Sequence, residues 1–144
     1  MVDSNGSPPH LAEHDSANVQ EPKCRLCELR RIVKETQARV RPRTGGSPPK
    51  VAVGLAVPAI EAWLLYGVDA GVTEAAWING MRERRRPYTT NQLKERLYAT
   101  TRPSLAKETE VMRAAAERLC GNIEAFTACF PQGFGALAKE LQSW

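Results

Sequence analysis

The chain has 144 residues, 42% of them hydrophobic and 25% charged, with a formal net charge of +4. That is the size and balance of one ordinary globular domain. The longest apolar stretch, residues 51 to 67, is interrupted by Pro58 and Glu61. It falls short of the ~18 consecutive apolar residues of a membrane span. The first residues show neither the basic start nor the apolar centre of a secretory signal. These features predict a cytoplasmic protein with no membrane contact and with four reduced cysteines. Aromatic residues make up only 6%, so the core is expected to be aliphatic and rich in alanine.

Charge is distributed unevenly. Residues 1 to 21 carry four acids and no Lys or Arg, whereas residues 22 to 50 carry nine bases against two acids. Residues 82 to 96 carry six bases against two acids. Two basic segments on one chain suit phosphate as a partner, and they suit equally well a solvated surface rich in arginine.

In chain order, residues 1 to 20 are polar and are expected to form a disordered tail. From 21 to 144 the pattern predicts a single domain. Leu26, Leu29, Ile32, Val33 and Val40 form a helical stripe, opened by Pro22 and ended by Pro42. The segment "KVAVGLAV" alternates Val51, Val53, Leu55 and Val57 with Ala52, Gly54 and Ala56. Two apolar faces, one of them small, suit a central parallel strand with a helix lying close over it. Pro58 is expected to open the next helix, which carries Ile60, Trp63 and Leu64 on one stripe. Thr73 can cap a helix that runs to Pro87, with Gly80 as its weak point. Thr89 and Gln92 have the spacing of a capping box. Ser104 can cap a longer helix stopped by Gly121, and two short helices flank the turn "PQGFG". The fold class read from this is an α/β remnant, predominantly helical. It has one buried strand at about 50–57, preceded by one helix and followed by about six. A lone buried strand leaves backbone groups unmet. Its neighbours therefore come from a strand in the N-terminal segment, from a partner chain or a second copy, or, as the favoured reading, from a part of the domain that this chain lacks.

The residues Val57, Pro58, Ile60, Glu61, Ala62, Trp63, Leu64 and Leu65 resemble the strand-to-helix signature of an uncharacterised bacterial family related to the TOPRIM fold. The stretches from Tyr88 to Glu110 and from Phe130 to Trp144 are similar to the helical tail that accompanies this signature. The resemblance implies a TOPRIM-like domain apparently lacking its N-terminal part. It also implies Mg²⁺-dependent processing of nucleic acid, of the kind found in bacterial defence, because clustered carboxylates hold Mg²⁺ with positions open for water and phosphate. Under this reading Glu61 is the catalytic or water-positioning acid. Glu13 and Asp15, spaced i, i+2 in "EHDS", join Glu61 as metal ligands. Arg85, Arg86, Lys94 and Arg96 hold phosphates. The alternative is a non-catalytic helical interaction module, or a subunit that pairs its strand with a partner.

Read without the resemblance, Glu61 is a first-turn acid that favours its helix dipole or pairs with a cation. Asp69, in "YGVDAG", suits a turn that caps backbone N–H groups. Cys24 and Cys27 form C-x₂-C, half of a zinc site, whose other half would come from Cys120 and Cys129 or from a histidine. That spacing matches no standard zinc ribbon, and His10 and His14 fall in the expected tail. Buried structural cysteines are the competing reading, and a redox pair is a third.

Overall fold

The computed structural model describes residues 2–3, 7, 10–16, 23–40, 46–47 and 49–144. Among these residues the chain is predominantly helical, as the sequence predicts. Helix α1 (Arg25–Arg39) precedes the buried strand β2 (Leu55–Ala56). Six helices follow: α2 (Ile60–Leu64), α3 (Glu74–Arg82), α4 (Thr90–Tyr98), α5 (Leu105–Cys120), α6 (Ile123–Cys129) and α7 (Phe134–Gln142).

Strand β2 is shorter than its apolar run suggests, and it has a neighbour within the chain. The N-terminal β1 (Val2–Asp3) pairs with it in parallel, Val2 opposite Leu55 and Asp3 opposite Ala56. Just upstream, the Val53 N–H is met by a side chain, donating to Glu140 Oε2 at 2.6 Å. The small face of the strand works as expected. A Cβ on Gly54 would lie 3.0 Å from Leu137, so α7 crosses there at close range. Pro58 does not open α2. It follows a cis peptide bond in a bend, and Ala59 is the N-cap.

The local stop and start signals hold at most positions. The Thr89 side chain accepts from Gln92 N–H while the Gln92 side chain accepts from Thr89 N–H, completing the capping box. Thr73 and Ser104 cap α3 and α5 through Ala76 N–H and Lys107 N–H. Helix α3 ends earlier than expected, at Arg82. Arg84 turns into the left-handed region at φ 57°, and the chain folds back over Gly80.

The core differs from the aliphatic expectation. The few aromatic residues are concentrated in it: Trp63 of α2 meets Phe126 and Phe134 edge-on, with centroids 6.1 and 5.5 Å away. Phe126 and Phe134 themselves are 4.4 Å apart. This cluster gathers α2, α6 and the start of α7 around β2. Arg118 of α5 adds a charged C-terminal cap to α2, donating to the carbonyls of Leu64 at 2.6 Å and Tyr66 at 3.2 Å.

Candidate metal centre

Residues 10–16 lie against the start of α1, within the segment whose composition predicts disorder. A short 3₁₀ helix, Ala12–Asp15, follows His10 and carries His14. The four-residue spacing lets both imidazoles face the same neighbour, and their rings meet edge-on with centroids 5.2 Å apart. That neighbour is the start of α1, where Cys24 is the N-cap and Cys27 lies in the first turn. One ligand atom from each of His10, His14, Cys24 and Cys27 lies within 4.8 Å of all the others.

The distances fit one tetrahedral ion. Zinc sits about 2.3 Å from a thiolate sulfur and about 2.0–2.1 Å from an imidazole nitrogen, so a tetrahedral centre separates N and S by about 3.5 Å. His10 Nδ1 is 3.5 Å from Cys24 Sγ and 3.6 Å from Cys27 Sγ. The other nitrogen of His10, Nε2, is 3.1 Å from Asp15 Oδ1. A carboxylate on the far nitrogen orients a ligating imidazole and increases its basicity. Asp15 is held in turn by Arg30 Nη1 at 2.9 Å, and Arg30 Nε donates to Glu140 Oε1 at 3.1 Å. Since Glu140 also accepts from Val53 N–H, an unbroken chain of hydrogen bonds joins His10 to the strand segment.

Electrostatics at the site favour the thiolate of Cys24 and the protonated form of His10. Burial alone would raise the Cys24 thiol, but hydrogen bonds from His10, from the Cys27 backbone and from His14 bring it down to about 6. Burial pulls His10 down, and its bonds to Cys24 and the Asp15 carboxylate more than offset this, leaving it raised. The imidazolium and the thiolate stabilise one another, and a metal ion would have to displace the His10 proton to bind there.

The acids expected to bind magnesium do not assemble. The histidines and cysteines above are the one potential metal-ligand group among the described residues. Glu13 is exposed on the 3₁₀ helix, and Asp15 serves His10 and Arg30. Glu61 is buried in the first turn of α2, with Lys94 Nζ 3.9 Å from its Oε1. Three of the cations expected to hold phosphate face acids of the chain: Lys94 faces Glu61, Arg85 pairs with Glu83 at 3.0 Å, and Arg96 pairs with Asp69 at 2.7 Å. Arg86 is exposed beside a cleft of about 370 Å³ lined by Trp77, Tyr88 and Thr89. Asp69 caps its turn as read from sequence, accepting from Gly71 N–H at 2.9 Å. Cys120 and Cys129, the candidates for the second half of a zinc site, do not belong to the metal-ligand group. The two sulfurs are joined from upstream by His10 and His14. The missed signal was H-x₃-H followed, after nine intervening residues, by C-x₂-C.

Among the described residues no helix is long and apolar enough to cross a membrane. Comparison with protein-family models, curated proteins and solved structures yields no match for the chain.

Proposed function

We propose that this chain is a zinc-binding helical module in which the ion fastens the N-terminal segment to α1. The observation that carries the reading is the match of the His10–Cys24 and His10–Cys27 separations, 3.5 and 3.6 Å, to one tetrahedral ion. Two soft thiolates and two imidazoles select zinc over magnesium, which takes oxygen ligands. Four protein ligands close the coordination sphere, which is the mark of a structural site; a catalytic one keeps a position for water. The reading agrees with the interaction-module alternative. The TOPRIM-like, magnesium-dependent processing of nucleic acid implied by the resemblance has no carboxylate cluster among the described residues to support it.

The test is elemental analysis of the protein purified without chelator, followed by cobalt substitution of the chelated protein. One zinc per chain is expected, as is the thiolate-to-cobalt absorption of a four-coordinate site. Cys24→Ala and His10→Ala should each lower zinc affinity by more than tenfold. A protein that takes up neither zinc nor cobalt at these residues overturns the proposal.

A further inference from the structure

The two sulfurs of the centre differ in access. Cys24 is fully buried, whereas Cys27 is half-buried and within reach of a small solute. Their positions also matter: Cys24 caps α1, a helix of 15 residues, and Cys27 follows three residues later in the first turn. The positive end of a helix stabilises a thiolate, and C-x-x-C pairs placed there are the reactive ones. All four ligand atoms lie within 4.8 Å of one another, so the two sulfurs that would share an ion are also near neighbours, three residues apart in one helix turn. The remaining cysteines are poor substitutes. Cys120 is exposed at the end of α5, burial pushes the Cys129 thiol up, and neither belongs to the ligand group.

We propose that the centre is a peroxide-sensitive zinc switch, an inference that rests on the zinc reading above. The Cys27 thiolate attacks one oxygen of hydrogen peroxide. The O–O bond breaks, hydroxide leaves, and Cys27 becomes a sulfenic acid. The Cys24 thiolate then attacks the Cys27 sulfur, the S–O bond breaks, and a second hydroxide leaves as the disulfide forms. The two sulfurs lose two electrons and peroxide gains them; solvent protons convert the hydroxides to water. Zinc loses both anionic ligands and departs, since two imidazoles do not retain it. A dithiol reductant reverses the step. The buried Cys24, shielded from direct attack, acts as the resolving thiol, and this steers oxidation to a disulfide and away from higher sulfur oxides.

The test uses zinc-loaded protein carrying Cys120→Ser and Cys129→Ser, treated with hydrogen peroxide beside a chromogenic zinc chelator. The expected result is release of one zinc per chain, in step with an intact-mass loss of about 2 Da for the disulfide. Dithiothreitol with added zinc should restore the starting state. Cys27→His keeps four ligands but only one sulfur, and its zinc release should be at least tenfold slower. Zinc retained with both thiols intact overturns the switch. So does release with oxygen added to sulfur and no disulfide, or release from Cys27→His at the parent rate. Absence of zinc before any peroxide is added overturns the zinc reading itself, and the switch with it.

Discussion

Glu74 is 1% exposed at the start of α3, and its Oε2 accepts from the Gln132 N–H at 2.8 Å. Burial raises its pKa to about 7, against the backbone N–H groups of Gln132 and Gly133 and the charge of His10, which lower it. A carboxyl raised on folding binds its proton more tightly in the native state than in the unfolded one. Its contribution is complete below the unfolded value near 4.5 and is lost as pH rises through about 7. Glu74→Gln should therefore match the parent in melting temperature at pH 4.5 to 5 and exceed it at pH 8. Thermal melts of both zinc-loaded proteins check this, because the protons exchanged by the metal ligands are common to both and cancel in the difference. An equal pH dependence in the two proteins removes Glu74 from the titration. Other residues at this scale could be read in advance only where their partners are close in sequence. Asp69 and Thr89 find theirs two and three residues away. His10 finds Cys24 fourteen residues away, from within a polar segment whose composition predicts disorder. Composition counts the apolar surface available for burial, and it is blind to side chains that meet through polar contacts. Asp15 shows the same limit: its type and spacing suggested a magnesium ligand, while its neighbours make it the support of a histidine.

At the scale of elements, the end of α3 shows where local signals fail. Helix propensity treats Gly80 as a defect that alanine would mend by ~1 kcal/mol. In the structure a Cβ there would lie 2.6 Å from the Arg85 carbonyl oxygen and 2.6 Å from Pro87 Cδ. Neither atom belongs to a flexible side chain. Gly80→Ala is thus expected to destabilise the fold by about 1–2 kcal/mol, overpacking outweighing propensity. Urea unfolding decides the sign, and a stabilised variant would mean that the 83–87 turn yields freely. The helices themselves were readable because their caps and stripes are local. The extent of β2 was not: seven alternating apolar residues suggested a full strand, but only Leu55 and Ala56 pair with β1. Of the flanking positions, Gly54 lies against Leu137 of α7, Val53 and Val57 join the core, and Val51 is exposed.

For the whole molecule, the His/Cys cluster and the sheet are tied together. The line from His10 through Asp15, Arg30 and Glu140 to Val53 crosses from the first tenth of the chain to its last helix and back to the strand segment. Such a line cannot be read from sequence. Bonded neighbours along it are separated by up to 110 positions, and Asp15, Arg30 and Glu140 each alone resemble a surface charge. Its consequence is one of thermodynamic linkage. If zinc and an ordered strand segment favour the same arrangement, each must strengthen the other by the same free energy, whichever end is perturbed. Glu140→Ala, which removes no ligand, should then weaken zinc affinity by about fivefold or more, read by competition with a chelator. Reciprocally, stripping zinc from the unaltered protein should hasten hydrogen exchange at the Val53 amide, a group on the far side of the line from the ion.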